Sequence, residues 1–482
     1  MSISKFFNKT FFRIAAMIAL LACVGLLFAG CGLGRLHGGP DASDVVSGNG
    51  TLAVQKGDYL YFVNGYKNTS DVGESNNYGS VDQSAIYRAK LTPEGRVSLP
   101  EPKLDDEGEE IFDETQALQD LDILVPKVAG FEYTKLFIFG DYLYYATPNH
   151  LKDGAGKVMS DYLHIYRVRL DRDGGNDLVY STDATASNVH WTMHQIEDVV
   201  YMTILDEHKL VVINIEGSNF GANTVAEDVS SASLPVYRSS ATSVKDIDKS
   251  IYFAQSVEDD DTTTVLKKYS LADKVTTEVF NSEGVKYDIK NTSGNKLYYT
   301  KTVSVQPGFS AKVYAMSPNA QEVQVSSQTV GSASDIQNYA LVDAMQGTGI
   351  LYTDGTSSYF KLADNATATK FLSSNMVGNI VSVQGDFVYY MADSTLHKVN
   401  YTLANQTGIK VIPEGVTPKG DIVNNFSVNG DKAYFFVKYT NNYYLHYVDY
   451  GATMAENDLS VYTHFVGKLL PEDYVSESGS DE

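Results

Sequence analysis

His190 and His194 stand four residues apart in the run NVHWTMHQ at 188–195. Imidazoles at that spacing share one side of a helix and can hold a transition metal. The helical zinc motif also needs a glutamate beside the first histidine, and Trp191 stands there instead. The flanking residues read as a strand, on which a four-residue spacing again puts both rings on one face. Packing at a blade edge or in a polar loop accounts for them better than a metal pair does. Asp171, Asp173 and Asp177 in DRDGGND occupy positions 1, 3 and 7 of a calcium loop. Asn176 and Thr182 take the places where such a loop requires Gly and Glu, and a hairpin turn explains the same residues. A second acidic run, EDDD at 258–261, is a weak cation trap or a solvated turn. The other histidines, at 37, 150, 164, 208, 397, 446 and 464, are scattered. No G-x-S-x-G elbow and no basic, Gly-rich phosphate cradle occur. The 60 acidic residues supply many carboxylate pairs for glycoside chemistry, and linear order cannot rank them. There is no positive case for an enzyme, and calcium is the one cofactor that any spacing suggests.

The elements that must position these residues follow a repeated phrase. A Gly-Asp or Gly-Asn turn leads at once into an apolar-aromatic strand: GDYLYF at 57–62, GDYLYY at 140–145, GNKLYY at 294–299, GDFVYY at 385–390 and GDKAYF at 430–435. Looser copies are EDVVYM at 197–202, DKSIYF at 248–253 and GTGILY at 347–352. The middle tyrosines, Tyr61, Tyr144, Tyr201, Tyr252, Tyr298, Tyr352, Tyr389 and Tyr434, mostly recur at the interval of a four-stranded propeller blade. After several phrases comes a polar loop and a second strand, IYRAKL at 86–91 or HIYRVRL at 164–170. Leu143 and Tyr145 should face one side of their strand and Tyr144 the other; the near-continuous apolar run fits a strand covered on both faces by neighbouring blades. The expected fold is all-β: a single β-propeller over 51–466, of seven or eight mostly four-stranded blades with eight favoured. TLAVQ at 51–55 is a candidate to complete the last blade and close the ring. The long first interval, over 96–138, reads as an insertion with a short helix over 110–120, or as a degenerate blade. Residues 467–482 read as a polar tail.

Composition agrees. Tyrosine is enriched, with 34 copies against 37 Lys and Arg together, as suits strands with one packed end and a reaching hydroxyl. The formal net charge is −23, and without residues 1–30, which hold Lys5, Lys9 and Arg13 and no acid, it is −26. Such a charge repels nucleic acid and anionic headgroups, so a nucleic-acid role is rejected. Residues 1–30 carry a basic start and an apolar stretch ending in small residues, which reads as a secretory signal. The ending FAGC at 28–31 resembles the bacterial lipobox, with Phe28 in place of its usual leucine. That resemblance implies diacylglyceryl attachment at Cys31, the one cysteine left after cleavage. Two acyl chains give stable anchoring. Residues 31–50 are then a lipidated cysteine and flexible, Gly-rich linker, and the protein sits on the extracytoplasmic face of a bacterial cell membrane.

The repeated GDYLYY…IYRxxLDxxG pattern resembles a family of exported bacterial β-propellers of unknown function, related to the YWTD-like propellers of low-density-lipoprotein receptors and to TolB-like propellers. The resemblance spans roughly 51–466. The phrase YWTD is absent, with YFVN at 61–64 and YYAT at 144–147 in its place. The motif is a structural repeat and implies no ligand or catalytic residue. The leading expectation is a lipid-anchored binding or scaffolding module that recognises a protein, peptide or glycan through propeller loops. The alternatives are a cell-surface carbohydrate hydrolase or lyase with residues converging at the channel, and a purely structural envelope protein. The parts that do not repeat, 96–130 and 183–195, are where function is expected.

Overall fold

The computed structural model describes residues 35–65, 83–93, 107, 122–129, 135–148, 162–217, 220–234, 246–293, 295–305, 308–319, 321–330, 340–344, 347–353, 357–362, 367–376, 380–384, 386–393, 395–411, 421–429, 432–439, 442–449 and 463–465. The described structure is strand throughout, apart from turns and two short 3-10 segments, Ala186–Asn188 and Asp246–Lys249. Strands pair with their sequence neighbours in eight antiparallel sheets, seven of four strands and one of five. The expected count of seven or eight blades is thus met in part: seven blades have the regular four strands, and the first sheet has five. In chain order the sheets are here called blades one to eight.

The repeated phrase forms the second strand of the sheet in blades two to eight, as in Lys432–Tyr439 of blade eight, and the third, Tyr59–Gly65, in the five-stranded blade one. The turn before it explains the glycine. Gly57 and Gly140 hold φ of +55° and +58°, where a side chain is strained. At Gly57 there is a second reason, because a Cβ would lie 2.2 Å from Asp44 Oδ2. The strand's two faces serve different interfaces. Leu143 and Tyr145 pack into the apolar cluster of blade one, while Tyr144 and Ala146 pack with Trp191, Met193 and Met202 of blade three. Covering both faces accounts for the unbroken apolar run. Each buried large side chain is worth roughly 1.5–3 kcal/mol.

The ring closes by packing. Tyr434, Leu445 and Tyr447 of blade eight share a cluster with Leu60 and Phe62 of blade one. The Leu52 amide donates to Ser427 Oγ at 3.1 Å across the same junction. This corrects the expected strand exchange. Ala53–Lys56 pairs with Tyr59–Gly65 inside blade one, and blade eight has its own outer strand, Thr463–Phe465. Among the described residues, 96–138 adds no further blade. Asp122–Ala129 is the outer strand of blade one, and Phe137–Phe139 opens blade two. The expected helix over 110–120 lies outside the described residues.

Residues 35–50, expected within a flexible linker, are docked instead. Leu36 is buried in the blade-one cluster, and its amide donates to Asp171 O at 2.8 Å. Val46–Ser47 pairs with Gln55 and Lys56, which places it on the axial side of the inner strand of blade one. Asn49 then acts as a surrogate strand residue toward blade two: its Oδ1 accepts from Ile138 N at 2.7 Å, and its Nδ2 donates to Ile138 O at 3.2 Å. A run of small and polar residues reads as linker from composition alone. Here it finds donors and acceptors on two blades at once.

A candidate ligand cleft between blades four and five

His190 and His194 both lie on the inner strand of blade three, Val189–Ile196, and do face the same way. At about 3.3 Å rise per residue they are about 13 Å apart along it, too far to share an ion. His190 is exposed, whereas His194 is 4% exposed and stacks on Tyr201 with ring centroids 5.6 Å apart. Neither ring nitrogen of His194 has a partner among the described residues, and burial pushes its pKa down to about 4.

The calcium reading of 171–177 is corrected by arginines. Asp177 Oδ2 accepts from Arg167 Nε at 3.0 Å, and Asp171 accepts from Arg169 Nε and Nη2, both at 3.0 Å. Arg35 adds a contact to Asp171 at 2.9 Å, and Asp173 lies 3.7 Å from the same guanidinium. The Arg169 hydrogen bond holds the Asp171 carboxyl well below the usual carboxylate range. Among the described residues no group of three His, Cys, Asp or Glu is arranged to hold a metal ion. Cys31 lies outside the described residues.

The arginines explain the IYR motif. Arg88 pairs across the sheet with Tyr61 on one side and Asp122 on the other; Arg167 repeats this with Tyr144 and Asp177. Arg88 is 2% exposed and donates to Asp122 Oδ2 at 2.6 Å, His37 O at 2.9 Å and Gly38 O at 2.9 Å. The motif is therefore a blade strut, and in blade one it also clamps the N-terminal segment. Among the described residues a Ser–His contact occurs, Ser181 Oγ to His164 Nδ1 at 3.1 Å. No described group orients the ring through Nε2, so the arrangement lacks the third member that activates a serine.

Of the segments expected to carry function, 183–195 is anchored at its start. Buried Asp206 accepts the backbone amides of Asp183 and Ala184, each at 2.9 Å, which fixes the passage from blade two to blade three. Most of 96–130 lies outside the described residues.

The acidic run at 258–261 has the more productive surroundings. It caps the hairpin between the second and third strands of blade four, with Asp259 in the left-handed region at φ +62°. Asp260 Oδ1 accepts from the Thr262 amide at 2.8 Å and from its hydroxyl at 2.6 Å. These bonds pin the turn and pull the Asp260 carboxyl down to about 2. The next two threonines join blade four to blade five. Thr263 Oγ1 accepts Gly284 N at 2.8 Å, while Thr264 Oγ1 accepts Tyr287 N at 2.7 Å and donates to Tyr287 O at 3.2 Å.

Above this junction opens a cleft of about 760 Å³. Asp259, Asp260 and Asp261 line one wall, and Lys286, Asp288, Thr300 and Thr302 the other. Asp288 is engaged by Lys290 Nζ at 2.6 Å. Asp259 and Asp261 have no cationic partner among the described residues, nor does Lys286 have an anionic one. Thr300 is 1% exposed, lines the cleft, and its Oγ1 has no hydrogen-bond partner among the described residues. Tyr287 is only 3% exposed, so its ring offers no platform for stacking. Behind the cleft Lys301 Nζ lies 4.4 Å from the Tyr314 ring centroid and 5.1 Å from that of Phe280, and contacts Glu322 Oε1 at 2.6 Å. That aromatic cage is filled by the protein's own lysine. The one signal in the sequence was EDDDTTT itself; the facing wall had none, since its residues belong to ordinary strands.

No family model matches the chain, and no curated protein matches it. Solved structures similar to it include a prolyl endopeptidase, at 12% identity and a TM-score of 0.43 over 70% of this chain and 50% of that one. Oligogalacturonate lyase from Vibrio parahaemolyticus matches at 12% identity and 0.36, over 78% and 92% of the two chains. TolB from Acinetobacter baumannii matches at 10% and 0.29, over 81% and 77%. The chain spans about half the length of the endopeptidase, and 54% of a puromycin hydrolase that it also resembles. The propeller assignment rests on the chain's own sheets and their ring of contacts.

Proposed function

We propose that the chain is a lipid-anchored, extracytoplasmic binding module whose recognition surface is the rim that carries the blade four–five cleft. The cleft carries this reading: it measures about 760 Å³, Asp259 and Asp261 on its hairpin wall have no cationic partner among the described residues, and Lys286, Asp288, Thr300 and Thr302 opposite them stand on strands. Its floor also holds a buried hydroxyl without a partner. The N-terminal segment supports the orientation. Residues 36–44 pack against Asp171, Arg88 and Gly57, all at the rim where inner strands turn into second strands and third strands into outer ones. The cleft is formed by the opposite set of turns. An acyl group on Cys31 would therefore attach at one rim and leave the cleft facing away from the membrane. Among the described residues no helix is long and apolar enough to cross a membrane; the anchor in this reading is Cys31 alone.

Two measurements test it. Cys31→Ser should move the protein from the membrane fraction to the soluble fraction, and wild-type protein should carry a lipid mass at its N-terminus. Crosslinking on intact cells should then recover a partner whose crosslinks map to the cleft rim. Crosslinks confined to the opposite rim, or turnover of a polysaccharide with no saturable binding, would overturn the reading.

A further inference from the structure

We infer that the cleft between blades four and five takes a basic peptide segment, seating one lysine or arginine head between Asp259 and Asp261 and a second polar group on Thr300. This rests on the binding role proposed above and names the ligand class. Three properties of the site lead to it. The first is charge: Asp259, Asp260 and Asp261 line the space with no cationic partner among the described residues, Asp260 being tied only to its own turn, while Asp288 is held by Lys290 and a single unpaired lysine, Lys286, stands opposite. The second is spacing. The acids lining the cleft do not form a group able to ligate a metal ion. Carboxylates spread along a wall suit an ammonium or guanidinium on a chain better than a small, hard cation, which needs six or more oxygens at short range. The third is the orphan hydroxyl. Thr300 Oγ1, buried at the cleft and unpaired, lacks the bond that such groups normally make. A backbone amide or carbonyl of an extended peptide supplies it.

The cleft geometry also assigns an order of effects. Steering by the acidic wall should set most of the salt dependence, and the Thr300 contact should be salt-insensitive.

The test uses the full chain in detergent and tetralysine, tetraarginine, tetraglutamate and spermidine as probes, titrated by calorimetry at low and high salt. Wild type should bind the two cationic peptides and not tetraglutamate. Asp259→Asn with Asp261→Asn should weaken that binding about five- to tenfold. A charge-matched control on the opposite rim, Glu197→Gln with Asp198→Asn, should leave it unchanged. Thr300→Val keeps the shape and removes the hydroxyl; it should weaken peptide binding about threefold without lowering the unfolding midpoint. Spermidine binding equal to that of tetralysine would show a simple polycation trap and overturn the peptide assignment. Equal losses from the control pair would show that overall negative charge is responsible, and no binding of any cationic probe would also end the inference. A cell-surface partner whose binding is insensitive to the Asp259/Asp261 pair would refute this site while leaving the wider binding role intact.

Discussion

At the scale of single residues, the two most informative side chains are buried and polar, and they behave oppositely. Arg88 is fully satisfied, by a carboxylate and two backbone carbonyls. Arg88→Met should cost about 2–4 kcal/mol, because it strands three acceptors at once. Lysine should rescue little of this, since one ammonium cannot reproduce the planar fork. Urea unfolding of both variants reads the result, and equal midpoints for lysine and wild type would contradict the strut. His194 is the reverse, buried without partners. Its pKa is lowered to about 4 in the folded state, against 6.5 for the free group. The unfolded chain therefore binds the extra proton first as pH falls. Stability contributed by the neutral ring is fully present above about pH 6.5 and is lost progressively toward pH 4. Wild type should lose about 2 kcal/mol between about pH 7.5 and about pH 5 from this group. His194→Phe, which keeps the stack on Tyr201, should flatten that part of the profile. A variant profile parallel to wild type would show that His194 is not the titrating group.

At the scale of elements, the same phrase makes one strand in each of the eight sheets, yet the junctions between blades are chemically different. Blades two and three join through Trp191, Met193 and other apolar groups. Blades four and five add the threonine pair, where one hydroxyl serves both backbone groups of Tyr287. Thr264→Val leaves the volume in place and removes both bonds. It should cost about 1–3 kcal/mol and speed exchange of the Tyr287 amide about tenfold or more, as read by hydrogen exchange. Unchanged protection of Tyr287 would mean the junction is held by apolar packing alone. The phrase tyrosines were legible in the sequence because each needs only its own strand neighbours to be recognised. The arginine of IYR was visible as a repeat, but its role was not: its carboxylate partner is 10 residues away in blade two and 34 in blade one.

At the scale of the whole molecule, the ring has to be closed without a shared strand. Blade eight meets blade one through side chains and the Leu52–Ser427 bond. The docked N-terminal segment reinforces the neighbouring junction between blades one and two. A chain beginning at residue 51 should therefore be less stable than one beginning at residue 35 by about 3–5 kcal/mol, the sum expected for burying Leu36 and making the Asn49, Arg88 and strand contacts. Coincident unfolding curves for the two would show the segment to be passive.

What the sequence determined by itself was everything carried by short-range periodicity. The alternating apolar strand, its Gly turn and the recurrence of both required an all-β propeller, because strands with two apolar faces need neighbours on each side. Net charge is likewise carried by the sequence alone, since it does not depend on conformation, and the expectation of no nucleic-acid role rests on it. Tertiary structure decided the rest. Asp177 looks like a calcium ligand until Arg167 of the paired strand meets it, and residues 35–50 look like linker until two blades supply partners. Thr300 looks like any strand threonine until the fold leaves its hydroxyl without one. In each case the deciding contact joins residues whose proximity comes from sheet register and blade order. The candidate site is accordingly half legible: EDDD announced one wall, and only the neighbouring blade supplied the other.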